Sequence, residues 1–120
     1  MQKENVIRDK SFAFAVRIVN LCKFLVSEKR EFVLSKQLLR SGTSIGANVE
    51  EADGGISKAD FSNRISVTYK EAKETHYWLR LLHATGYLEK NSFDSIIADC
   101  NEICKILFSI LRTTRINKKP

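Results

Sequence analysis

The sequence has one proline and five glycines in 120 residues, too few to punctuate an all-β fold, a collagenous repeat or a disordered chain. It has three cysteines, an odd number that closes no disulfide set. Cys22, Cys100 and Cys104 all fall in apolar periodic segments, where a free thiol acts as a small hydrophobe. That usage fits a reducing cytosol. No run approaches the roughly 18 continuous apolar residues needed to span a bilayer. Met1-Gln2-Lys3-Glu4-Asn5 opens with mixed charge, without the apolar core of a leader peptide or a lipidation signal. The expectation is a cytoplasmic protein with no membrane association. Strand-period alternation, internal repeats and low-complexity stretches are also missing. What remains is a single domain over residues 1–115 with a short basic tail, 116–120. A domain of this size buries enough surface for one core without disulfide or metal staples.

What is present is positive charge, unevenly placed. The formal net charge is +6, of which residues 1–40 contribute +5, 41–111 contribute −3 and 112–120 contribute +4. Basic blocks at both ends of an acidic middle suit attraction to a polyanion through steering and counterion release. Plain solubility explains so modest an excess equally well.

Four helices follow from the apolar spacing. The first runs from about Val6 to Ser27, with Asn5 as its N-cap. It is apolar nearly all round, leaving a thin polar stripe near Arg17, Asn20, Lys23 and Ser27. That exceeds the roughly 100° face one bundle partner covers, so part of it is expected to meet another subunit. The second starts at Ser35 as N-cap, with Leu34 and Leu39 as a hydrophobic staple, and stops before Gly54-Gly55. Gly42 and Gly46 lie one turn apart in its small-residue middle, which points to close helix packing and not to a phosphate loop. The third opens with a capping box, Ser57 and Asp60, and a staple, Ile56 and Phe61. Phe61, Ile65, Thr68, Ala72, Thr75, Leu79 and Leu82 form its seam, and it ends near Gly86. Lys70, Lys73 and Arg80 point outward from that seam. The fourth begins near Asn91 or Ser92 and carries Phe93, Ile96, Ile97, Cys100, Ile103, Cys104, Leu107, Ile110 and Leu111 on one face. Four helices with short connections make an all-α, antiparallel up-down-up-down four-helix bundle.

Catalytic chemistry is not evident. No Glu-x-x-His pair of the kind that holds two metals in a bundle occurs, and no serine or threonine has a nucleophile motif or a base beside it. His76, His83, Cys100 and Cys104 would have to converge for a zinc site, and packing explains them more simply. Glu71, near Trp78, fits a bond to a neighbouring helix. Glu50, Glu51 and Asp53 crowd the C-terminal end of the second helix, where the dipole disfavours them, so they call for a basic partner on another subunit or a solvated face. No metal or cofactor is implied.

Two segments carry a family resemblance. Gln37 to Ala52, QLLRSGTSIGANVEEA, resembles the signature of the 23S rRNA intervening-sequence proteins, and Lys70 to Leu82, KEAKETHYWLRLL, resembles their third-helix segment. Within the signature Ser44, Ile45, Asn48 and Glu51 fit the common form, Val49 replaces Ile, and Ala52 stands where Gly is usual. The resemblance implies a cytoplasmic bacterial four-helix bundle, assembled as a homopentamer, with no established enzymatic activity. The leading expectation is therefore a non-enzymatic, self-assembling bundle that binds RNA or DNA through basic surface. Arg112, Arg115, Lys118 and Lys119 are the primary phosphate contacts and Lys29, Arg30 and Arg40 the secondary ones. The alternative is a protein-interaction scaffold that binds no nucleic acid.

Overall fold

The computed structural model describes residues 2–54 and 57–118, with side chains described for 6–54 and 57–114. Four helices, α1 (Gln2–Ser27), α2 (Leu34–Asp53), α3 (Lys58–Ala84) and α4 (Lys90–Lys118), account for almost all of them. Each packs on its neighbours in chain order, and α4 returns to lie beside α1 along the thinnest of the four seams. The result is an antiparallel four-helix bundle measuring 52 × 22 × 21 Å. One end carries the α1–α2 and α3–α4 connections; the other carries the end of α2, the start of α3, the start of α1 and the end of α4. No strand occurs among the described residues.

The core is the set of apolar positions that the helical period aligns. From α1 it takes Ile7, Phe14, Ile18, Cys22 and Leu25, from α2 Leu38, Ile45, Val49 and Ala52. The α3 seam is buried as its spacing requires, save for Phe61, which is half-buried; Ile96, Cys100, Ile103, Leu107, Ile110 and Leu111 face it from α4. Ser41 and Thr75, both fully buried, satisfy each other across α2 and α3 at 2.9 Å, which keeps polar hydroxyls tolerable in that layer. Gly42 is needed for close approach: a Cβ there would lie 2.8 Å from Ile18 Cγ2. Gly46 is less confined, its Cβ position being 3.4 Å from the Ser11 carbonyl oxygen.

Several helix ends differ from the sequence expectation. α1 extends back to Gln2, so Asn5 lies inside the helix and does not cap it. Ser35 does not cap α2 either, because the helix begins one residue earlier, at Leu34, and Ser35 is buried inside its first turn. The cap is Glu31, whose carboxylate accepts from the backbone N–H groups of Val33, Leu34 and Ser35 at 3.2, 2.9 and 2.7 Å. It reaches them because Arg30 takes a left-handed conformation, φ 55°, which turns the chain back while the Glu31 N–H closes onto the Leu25 carbonyl. Leu39 is left exposed and forms no staple. For α3, Ser57 Oγ accepts from the Asp60 N–H at 3.1 Å, as the capping box requires. Ile56, the other half of the expected staple, lies outside the described residues. α3 ends at Ala84, with Gly86 at φ 87° in the left-handed position that favours glycine. α4 starts at Lys90 and runs on to Lys118, into the tail expected from 116.

Candidate nucleic-acid interface

The up-down topology separates the cations that the sequence singled out. Lys29 and Arg30 sit in the α1–α2 connection, over the rings of Phe24 and Phe32 at 5.9 and 5.5 Å. Arg112 is exposed near the far end of α4, at the other end of the molecule. The side chains of Arg115, Lys118 and Lys119 lie outside the described residues. Arg40 is on α2, where its guanidinium is shared between Glu71 at 3.3 Å and Glu74, both on α3. These residues do not form one site.

Ion pairs instead divide the surface by seam. Arg8–Asp53 at 2.7 Å joins α1 to α2, and Lys10–Glu102 and Arg17–Asp99 at 3.1 and 2.6 Å join α1 to α4. Arg40 and Arg64 join α2 to α3. The α3–α4 seam has no such ion pair among the described residues. Its outer face carries Lys70, Lys73 and Arg80 from α3 and Lys105 and Arg112 from α4, all exposed, none of them in an ion pair there. Three seams of the bundle are thus bridged by ion pairs and the fourth is not; Lys23, Lys36 and Lys58 are exposed outside these pairs on other faces, but singly and not as a group along one seam.

Aromatic rings lie among these cations. Tyr69 and Phe108 meet across the seam with centroids 6.0 Å apart, beside a cleft of about 390 Å³ lined by those two rings and by Lys73, Asn101, Cys104 and Lys105. Two turns along α3, Tyr77 meets Trp78 edge-on at 5.1 Å, and the Arg80 guanidinium lies over the Tyr77 ring at 5.7 Å. Arg80 Nε donates to His76 Nδ1 at 3.1 Å. Burial, and then the cations Arg80 and Lys73, hold His76 below its ordinary value against an opposing hydrogen bond with Asn101, so the imidazole is neutral at pH 7. Cys104 lines the cleft, with Cys100 one turn before it in the core, where its thiol donates to the Ala72 carbonyl at 3.6 Å; the neighbouring Cys100 thiol lowers the pKa of Cys104, burial opposes this, and Lys73 assists. The same interaction, with burial, pushes Cys100 far up.

A sequence model of the 23S rRNA-intervening sequence proteins matches residues 3–109. The chain belongs to this family. A crystal structure of a protein with unknown function from the S23 ribosomal protein family of Bacteroides thetaiotaomicron VPI-5482 is similar over 92% of this chain and 98% of that one, at 57% sequence identity and a TM-score of 0.90. No curated protein matches the chain.

The family signature has a structural task in this member. Ile45 is fully buried. Ser44 donates to the Ser41 carbonyl at 2.8 Å, and Asn48 Nδ2 to the Ser44 carbonyl at 2.8 Å, leaving Asn48 Oδ1 to accept from Arg64 on α3 at 3.1 Å. Arg64 also meets Glu51 at 3.4 Å, so Asn48 and Glu51 together hold one arginine. Sequence reasoning missed Arg64, because nothing in its local spacing marks it. Ala52, the departure from the common signature, is buried in the core, and α2 runs one residue past it before Gly54 caps the helix. Two of the three acidic residues at the end of α2 meet bases within the chain, Asp53 with Arg8 and Glu51 with Arg64, a partner not among the expected ones, while Glu50 stands on the solvated face that was the other expectation. Glu71 does bond a neighbouring helix, through Arg40.

His83 stacks on Phe93, with centroids 4.3 Å apart, and its Nδ1 hydrogen-bonds the Leu88 carbonyl at 2.8 Å; His76 is turned to Arg80. Among the described residues no three His, Cys, Asp or Glu side chains converge as a metal-ligand set. Among them, too, no helix is long and apolar enough to cross a membrane.

Proposed function

We propose that this family member is a non-enzymatic, self-assembling bundle of the cytoplasm that binds RNA or DNA through basic surface. The observation that carries the reading is the α3–α4 face, where five exposed cations stand outside the ion pairs that neutralise the other three seams. Cations held this way gain affinity by releasing counterions from phosphates, a contribution indifferent to sequence. Arg112 belongs to this face and remains a primary contact, and the basic residues that follow it in the sequence, Arg115, Lys118 and Lys119, are proposed to add to it.

Self-assembly is supported by the outer side of α1. Phe12 is 69% exposed and Val16 46%, with Val6, Phe24 and Val26 also uncovered, more apolar surface than a monomer of this size leaves bare along one helix. Covering it with further copies of the chain gives a ring, five being the number the family resemblance implies. Five copies would multiply the +6 of one chain to about +30.

Titration of the native protein with a labelled structured RNA at two salt concentrations tests the reading. Affinity should fall by about two orders of magnitude between about 50 and about 200 mM salt if some five phosphates are engaged. Absence of binding at low salt, or binding indifferent to salt, would overturn it. A stoichiometric protein partner that survives nuclease treatment would favour the scaffold alternative.

A further inference from the structure

The geometry points to a more specific ligand for the α3–α4 face: an unpaired nucleic-acid strand whose bases stack on Tyr77 and on the Tyr69–Phe108 pair while its phosphates meet the intervening cations. This rests on the nucleic-acid reading above and narrows it to single-stranded segments.

The argument begins with the spacing of the rings. Along α3 the order is Tyr69, Lys73, Tyr77, Arg80, and along α4 it is Lys105, Phe108, Arg112. Steps of three and four residues keep each set on one side of its helix, so cations and rings alternate along both walls of the seam. Tyr69 and Tyr77 are eight residues apart, which on a helix is about 12 Å, with Lys73 midway. A strand that stacks bases at both positions runs its backbone past Lys73, which lies between them.

The rings are available to such a ligand. Phe108 is 51% exposed and Tyr77 48%, high for large aromatics, and the Arg80 guanidinium over the Tyr77 ring is a mobile side chain that a base can displace or share. Each ring already has an aromatic neighbour that limits its freedom, Phe108 the tilted ring of Tyr69 and Tyr77 the ring of Trp78 at a T-shaped angle, which lowers the ordering cost of binding. A duplex keeps its bases paired and inside, where these rings cannot reach them. It can offer the face only phosphates, so stacking is a contribution that an unpaired strand alone collects. The neutral His76, held by Arg80 and Asn101, adds a further planar ring at the same seam without adding charge.

Fluorescence anisotropy on the full-length protein, with a labelled unpaired oligonucleotide and a duplex of the same sequence and length, provides the test. The unpaired strand should bind about tenfold more tightly, and Phe108→Leu and Tyr77→Leu should each weaken it about fivefold or more while leaving duplex affinity unchanged. Both side chains are exposed, so these variants keep the fold. Lys73→Gln and Lys105→Gln should weaken both ligands alike and each reduce the salt slope by about 1. Trp78, the sole tryptophan, should change emission with the unpaired strand and not with the duplex. Equal affinity for the two forms, or leucine variants that bind as the wild type does, would overturn this inference and leave the broader reading standing. Failure of both ligands to bind at low salt would overturn both. A drop in assembly mass caused by the leucine variants would make this face a contact between copies of the chain, and the inference would again fail.

Discussion

Glu31 shows how much a single side chain can decide. It is 7% exposed, yet its carboxylate is charged, because three backbone N–H groups at the start of α2 replace the water it has lost. Burial alone would raise its pKa; the N–H groups of Leu34, Ser35 and Val33 overcome this and hold it below the ordinary carboxylate range. A carboxylate with a lowered folded pKa contributes stability that is present above its unfolded pKa and is lost as pH falls through the folded one. Glu31→Ala should therefore cost about 1–2 kcal/mol at neutral pH, measured by urea unfolding. Glu31→Gln should flatten the acid limb of the stability curve, since the neutral amide has no proton to gain. The thiols differ for related reasons. Burial, with Glu31 nearby, pushes Cys22 up to about 11, while Cys104 is lowered by the thiol of Cys100 and by Lys73. Iodoacetamide at pH 8 should modify Cys104 first in the native protein, and Cys104→Ser should remove that fast phase, leaving Cys22 and Cys100 to react on unfolding.

At the level of elements, contact between α1 and α2 depends on the small-residue face of α2. Gly42→Ala adds a methyl that would overlap Ile18, itself fully buried and without room to move. The gain of about 1 kcal/mol in helix propensity is smaller than an overpacking cost of about 1–3 kcal/mol, so the thermal midpoint should fall. Gly46→Ala places its methyl at ordinary contact distance from Ser11, so the propensity gain should leave it neutral or slightly stabilising. Comparing the two midpoints separates close packing from helix propensity as the reason for the glycines. The seams that carry ion pairs follow a similar division of labour. Arg64 holds Asn48 and Glu51 and fixes α3 against α2, while the α3–α4 seam relies on apolar packing and leaves its cations outward.

For the whole molecule, the uneven distribution of apolar surface matters most. A protein with Phe12, Val16 and Val26 uncovered along one helix should scatter light as a multiple of its 13.7 kDa chain mass. Phe12→Glu combined with Val16→Glu should reduce that mass toward the monomer at micromolar concentration without loss of helical circular dichroism, because neither side chain lies in the core. A wild-type protein that runs as a monomer would remove the case for a ring. Assembly would also bring several α3–α4 faces into one particle, which raises the effective concentration of cations for a long polyanion.

Much of this was legible in the residues alone. The scarcity of proline and glycine, the 3.6-residue period and the capping signal at Ser57 determined four helices, their order and most of the α3 and α4 core, because each depends on neighbours a few positions away. The family, too, was legible, since its signature is a contiguous string. The cap on α2 was not, because it depends on Arg30 adopting a left-handed turn that brings Glu31 over the helix start. Nor was the charge map: Arg40 and Arg64 resemble Lys73 and Lys105 as exposed helical cations, and only the packing of α2 on α3 pairs the first two with carboxylates. Lys70, Lys73 and Arg80 were legible as outward-pointing cations of α3, but the rings beside them, Tyr69 and Tyr77, and their meeting with Lys105, Phe108 and Arg112 were not. Local periodicity says which side of a helix a residue occupies; which residues face it across a seam is settled by contacts between segments some thirty to forty positions apart, and those exist only once the chain is folded.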